Sequence, residues 1–335
     1  MQPFSLHKAA PEAPPEVALD PGQAGPGGSL QVPQKAAAPV LDPGMTVSDA
    51  FAAIAQSALE HLQANEHGVL VSADSEFLHQ MRVAVRRLRS GLSVFAAALP
   101  DGAGTPIAAD LKWLGNALGP ARDWDVFADE TLPRVRAAYP EHPQLSALCA
   151  HTARKRGLAR AAARRAIRSA RYQTLMTALT GWIATRGWRE AAGPASAALL
   201  DSPIRTYAQT ELEKRYERAR RRGRKLETLS VPELHRLRIA VKKLRYAMDF
   251  FSSLFDAEAV RRLRSRLSRL QGILGTINDA STLQHLVEQG FPRPRAAAAA
   301  EARGILLGWA AGRAEALGRE LDRAWKPFRR SQTYW

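Results

Sequence analysis

Two stretches of the chain hold the side chains best placed to do chemistry. His79 is followed by Arg82, Arg86 and Arg89, cations three, seven and ten positions on. His235, Arg238, Lys242 and Arg245 repeat that spacing 156 residues later. Arginine presents a planar, permanently charged fork that fits phosphate or carboxylate oxygens two at a time. Such rows describe the coordination of a multivalent anion. Metal ligation is not expected, because neither histidine has a His, Cys or carboxylate three or four positions on, and cations surround both.

A helix must position these groups. At about 100° per residue, each set of four falls within an arc of about 80°. The opposite arc is apolar: Phe77, Met81, Val85, Leu88, Leu92 and Phe95 in the first copy, and Leu237, Val241, Leu244, Met248 and Phe251 in the second. Each helix therefore has one side for a core and one cationic side. Arg87 and Lys243 sit on a separate flank, about 80° from the histidine.

The whole chain leans the same way. Its 335 residues carry a formal net charge of +16, unevenly spread. Residues 1–45 sum to −2, with two lysines against four acidic residues, and the remainder carries +18. That excess calls for an anionic partner. One cysteine, Cys149, excludes an intrachain disulfide framework and a thiolate cluster. No run approaches 18 apolar residues, so no membrane span is expected. The N-terminus lacks the charged start and apolar core of a signal peptide. A cytoplasmic protein is the expectation.

Residues 1–45 hold nine of the 21 prolines and no hydrophobic period, and read as a disordered tail. Helices follow over about 46–65, 75–99, 105–118 and 123–137, with breaks at Gly68, Pro100-Asp101-Gly102 and Gly119-Pro120. Asp123 and Asp279 read as helix caps. A long helical tract covers about 144–186. After a linker at Gly193-Pro194, helices cover about 201–226, 231–254, 256–274, a piece from Asp279, and 296–325, with a break at Phe291-Pro292-Arg293-Pro294. Trp113, Trp182, Trp309 and Trp325 are expected in the core. No segment alternates convincingly as a strand.

The offset of 156 also relates Leu111, Leu114, Leu118, Gly119 and Asp123 to Leu267, Leu270, Leu274, Gly275 and Asp279. Two motifs repeating with no net insertion imply a duplicated helical unit, residues 46–190 and 200–330. Two such units would pack about a pseudo-twofold axis. With the apolar arcs in the cores, the cationic arcs would converge on a shared cleft. Arg156, Arg160, Arg164, Arg168 and Arg171 form a further stripe, stepping by four, four, four and three. No acidic residue occurs between Glu141 and Glu190, so the stripe lacks local partners and asks for an outside anion, as pore lining or an outer phosphate path. Solvated surface is the alternative. Arg220 to Lys225 read as a solvated helix end or an external anion patch.

The paired His-x-x-Arg-x-x-x-[Arg/Lys]-[Arg/Lys]-Leu-Arg helices, each followed by Leu-Gly-x-x-x-Asp, resemble the CHAD family, the conserved histidine α-helical domain, over residues 46–330. The resemblance implies an all-α fold of two pseudo-symmetric four-helix bundles around a central basic pore. It also implies binding of inorganic polyphosphate, and residence on polyphosphate granules in bacteria. By position, the pore lining would include His79, Arg82, Arg86 and Arg89 with His235, Arg238, Lys242 and Arg245, and the flanking Arg87 and Lys243 join the candidate ligands. The family is sometimes fused to a triphosphate-tunnel hydrolase marked by Glu-x-Glu-x-Lys. Glu211-Leu212-Glu213-Lys214 departs from that pattern and lies in a helical context, so no such domain is expected.

Polyphosphate has neither bases nor sugars, so its reader needs dense donors along a groove. The histidines should be neutral near pH 7 among cations and take up protons when a polyanion arrives. The expected function is therefore non-enzymatic polyphosphate binding, without cofactor or metal. A nucleic-acid binder is the alternative, but few aromatics interleave with the basic faces. A phosphohydrolase or kinase lacks its Walker loop, metal cluster and nucleophile–base pair.

Overall fold

The computed structural model describes residues 32–290 and 297–335. The expected tail as far as residue 31 and the expected break at 291–294 lie outside the described residues. The chain divides into Met1–Val32 and Pro33–Trp335. Within the second unit the described elements are helices, with one isolated antiparallel bridge, Thr46 to Pro203.

Local chemistry sets the helix starts. α1 (Val47–Val71) opens on a capping box, in which the Thr46 hydroxyl accepts from the Asp49 N–H at 3.1 Å and the Asp49 carboxylate accepts from the Thr46 N–H at 3.4 Å. α2 (Ser75–Val94) is capped by Asp74, which accepts from the Glu76 N–H at 2.8 Å. α3 (Thr105–Val126) leads through a π-helical turn, Phe127–Thr131, into α4 (Leu132–Ala138). Then come α5 (Pro143–Ile167), α6 (Ala170–Ala184), α7 (Pro194–Leu200) and α8 (Ile204–Arg222). α9 (Val231–Phe251), α10 (Ala257–Gly290) and α11 (Ala297–Arg329) complete the chain.

Several expected helix ends are not ends. α1 runs through Gly68, which serves contact: a Cβ there would overlap the Phe77 ring. α3 runs through Gly119-Pro120 because Leu111, Leu114, Leu118, Ala121 and Trp124 all bury one face. Five buried apolar groups outweigh the roughly 3 kcal/mol an interior proline costs. α10 likewise passes Gly275, so Asp123 and Asp279 stand in helix interiors and cap nothing. The long tract splits where Ser169 leaves helical geometry and its hydroxyl accepts from the Tyr172 N–H at 3.3 Å.

Residues 33–45, expected as disordered tail, lie against the helices. Leu41 is 2% exposed, and both its backbone groups bond the Ser253 hydroxyl, at 2.8 and 3.1 Å. Asn65 accepts from the Gln34 N–H and donates to the Gln34 carbonyl, at 3.1 and 3.0 Å. Arg87 donates to the Ala37 carbonyl at 2.6 Å. This strap has no periodicity to betray it, because distant side chains satisfy its backbone.

α1, α2, α3 and α5 pack in succession, as do α8, α9, α10 and α11. A single large apolar cluster joins the two sets, so the repeats are not separate domains. Equivalent elements meet. α2 packs on α9. Phe95 and Phe251, 156 apart, touch edge to face with ring centres 5.9 Å apart. At the helix starts, the Val47 N–H donates to the Ser202 carbonyl and the Ile204 N–H to the Met45 carbonyl, both at 3.0 Å. A further cluster ties Trp124, Phe127 and Leu145 to Leu283, Val287 and Leu306.

Candidate anion-binding cavity

Between α2, α3 with its π-helical turn, α9 and α10 lies a cavity of about 510 Å³. Seven pairs of its lining residues are 156 positions apart: Arg82 and Arg238, Arg86 and Lys242, Arg122 and Asn278, Asp123 and Asp279, Val126 and Thr282, Phe127 and Leu283, Glu130 and Leu286. His79 and Thr131 complete the wall.

The Leu-Gly-x-x-x-Asp motif has a direct structural use here. Gly119 leaves room for the Arg82 guanidinium to lie on α3, where a Cβ would stand 3.3 Å from Nη1. That Nη1 donates to the Gly115 carbonyl at 2.9 Å. Two turns on from Arg82, Arg89 lies beside Gly115. Its counterpart Arg245 donates to the Gln271 side chain at 2.9 Å, and 271 is the equivalent of 115. Arg89 and Arg245 thus follow α3 and α10 beyond the cavity. His235 is exposed, with Nδ1 2.7 Å from the Asn278 amide oxygen. With that oxygen as acceptor, Nδ1 is the donor in this contact. His79 has Arg122 where His235 has Asn278.

Charge inside is mixed: Arg82, Arg86, Arg122, Arg238 and Lys242 face Asp123, Asp279 and Glu130. Burial holds His79 below its usual pKa, and Arg122, Arg86 and Arg82 push it further down against Glu76. Lys242 is lowered to about 7, by burial first and then by Arg238, Arg86 and Arg82, against the pull of Asp279. Arg82 and Arg238 are lowered mainly by burial, offset by Asp123 and Asp279 respectively. Burial raises the Asp123 carboxyl despite Arg82, Arg122 and His285. It raises Asp279 too, helped by Glu130 and Asp123 and opposed by Arg238 and Lys242. Asp279 is open to water within the hollow and walled by protein on its other sides, which is why burial still acts on its carboxyl. Every one of these titrating groups would gain from protonation beside a polyanion.

Other sequence candidates lie elsewhere. Arg87 is 6% exposed, bonded to the strap and 5.8 Å from the Phe250 ring centre. Lys243 faces Arg218, Arg215 and Arg89 outside the cavity. In the stripe from α5 into α6, Arg156 pairs with Asp125 and Asp129, each at 2.7 Å, and Arg160 with Asp125 at 2.8 Å. Arg164 donates to the Val69 and Ser72 carbonyls at the end of α1. Arg171 grips Asp110 at 2.7 Å and lies over the Trp113 ring. Arg168 closes α5 and does not reach the cavity. The anion this stripe asks for comes largely from α3, a partner no i±4 rule can see.

Sequence reasoning missed Arg122, Glu130, Thr131, Asn278 and Thr282. The repeat itself held the signal: the offset applied residue by residue around Asp123 reaches Asn278 and Thr282. Among the described residues, no group of three or more His, Cys, Asp or Glu is placed to hold a metal ion. No helix among them is long and apolar enough to cross a membrane.

No curated protein matches the sequence. Among solved structures, PptA from Streptomyces chartreusis superposes with a TM-score of 0.64 at 18% identity, over 84% of this chain and 100% of that one. The CHAD domain crystal structure from the plant Ricinus communis is 33% identical, with a TM-score of 0.77 over 91% of this chain and 99% of that one. The CHAD domain family model matches residues 53–288. The chain belongs to the CHAD family.

Proposed function

We propose that the cavity binds inorganic polyphosphate and performs no chemistry on it. Membership of a polyphosphate-binding family supports the polymer as ligand. The observation that carries the reading is the convergence of Arg82, Arg86, Arg122, Arg238 and Lys242 on one hollow. Guanidinium forks grip phosphate oxygens in pairs. The aromatic lining residue, Phe127, is 1% exposed and offers no platform for a base, which favours polyphosphate over nucleic acid. Binding without turnover is our reading of Asp123 and Asp279, which among the described residues accept no side-chain hydrogen bond from a hydroxyl or imidazole that they could activate. The pairing of lining residues across the offset supports a pseudo-twofold axis through the cavity, with residues 46–190 and 200–330 as the repeats. On this reading the chain works where the polymer is stored, on cytoplasmic granules.

The test is Arg82→Ala with Arg238→Ala. Each charge-assisted contact contributes about 1.5–3 kcal/mol. The double variant should bind long-chain polyphosphate about 100-fold more weakly, or worse, with its helical circular dichroism unchanged. Unchanged affinity in a folded variant would sink the proposal.

A further inference from the structure

A second hollow, of about 380 Å³, lies where the end of α8 meets the last turns of α11, and it shares no residue with the central cavity. Arg224, Lys225, Lys326 and Arg329 line it, with Glu227 and Asp322. The frame is rigid. Trp325 is 3% exposed and packs on Gly223, where a Cβ would overlap the indole. The Tyr216 hydroxyl of α8 bonds the Phe328 and Ser331 carbonyls, at 3.1 and 2.9 Å, and ties the two helices together. The chain then turns, with the Thr228 N–H and hydroxyl on the Lys225 carbonyl at 3.1 and 3.2 Å, and enters α9 through the Ser230–Glu233 capping box.

Helix dipoles account for cations in the final turns of α8 and α11. They do not account for Arg224 and Lys225, which lie beyond the end of α8 and face the same hollow. On α5, Arg156 and Arg160 find carboxylates and Arg164 finds carbonyls. In this hollow Asp322 takes Lys326 at 2.6 Å, and among the described residues no carboxylate pairs with Arg224, Lys225 or Arg329. Unpaired cations held on fixed segments around a concavity are built for an anion with several oxygens. The only ring in the hollow is the buried Trp325, so a nucleobase has nothing to stack on.

We propose that this hollow is a second phosphate site, holding a distant segment of the polyphosphate chain whose other segment occupies the cavity. The inference rests on the proposed function. One polymer bridging two sites makes the second contact intramolecular, so avidity favours long chains. A tripolyphosphate that fills one hollow gains no such bridge.

The experiment compares the full chain with Arg224→Ala, Arg329→Ala, two exposed positions, using long-chain polyphosphate and tripolyphosphate as probes. The variant should lose about tenfold or more in affinity for the long chain, a modest share of what bridging can supply. Its tightest tripolyphosphate site should be unchanged. Unchanged long-chain affinity overturns the second site, as does an equal loss for both lengths, which would mark a general field effect. Unchanged affinity in Arg82→Ala, Arg238→Ala overturns the cavity instead, so the two failures are told apart.

Discussion

Replacing Lys242 by arginine should uncouple anion binding from protons. Lys242 faces Arg238 on its own helix, Arg86 and Arg82 on α2, and Asp279 on α10, and burial with these cations lowers it to about 7. At pH 7 about half of the free molecules carry its charge, and at pH 8 about a tenth. A bound polyanion favours the ammonium form, so binding takes up a proton. The Lys242 share of the affinity should then be flat well below pH 7 and fall by up to about tenfold per pH unit above it, until the raised pKa of the complex is reached. Stability of the free protein runs the opposite way. The unfolded chain holds more protons between about 7 and 10.5, so the fold gains stability as pH rises through that window. Arginine stays charged throughout, and its twin position already holds Arg86. At pH 8 the variant should bind up to about tenfold more tightly than the parent chain. Calorimetry at pH 7, in buffers of different ionisation heat, should show uptake reduced by about half a proton. Long-chain polyphosphate keeps terminal phosphate titration out of the signal. His79 titrates in both proteins and cancels in the comparison. Equal proton uptake and equal pH slopes would refute the reasoning.

Two further predictions concern arginines that the sequence pointed to anions and the structure turns inward. Arg87→Ala should free the strap, cost about 1–3 kcal/mol in urea unfolding and open residues 33–44 to protease, with polyphosphate affinity kept within about twofold. A large affinity loss would return Arg87 to the binding surface. Asp125→Ala removes a fully buried carboxylate from Arg156 and Arg160 and should cost about 3 kcal/mol in the same assay. No measurable change would mean that water replaces that carboxylate without loss.

The all-α fold and the two cationic helices were legible because both signals are local: apolar residues at helical spacing and a motif repeated in register. Arg82, Arg86, Arg238 and Lys242 were found for that reason. What escaped depends on contacts far apart in sequence. Gly68 and Gly119 read as breakers, though one admits the Phe77 ring and the other seats the Arg82 guanidinium. Asp123 read as a cap, though tertiary burial carries α3 past Pro120 and leaves that carboxylate facing the cavity. Arg156, Arg160 and Arg171 read as unpaired because their carboxylates lie 27 to 61 residues away. The strap at 33–45 was invisible because its order depends on Asn65, Arg87 and Ser253.

A crystal structure of the full chain grown with polyphosphate tests the central claim most directly. It should show consecutive phosphates inside the hollow, within hydrogen-bond reach of Arg82 and Arg86 on one wall and Arg238 and Lys242 on the other. Phosphates confined to the outer surface, with only water between α2 and α9, would contradict it.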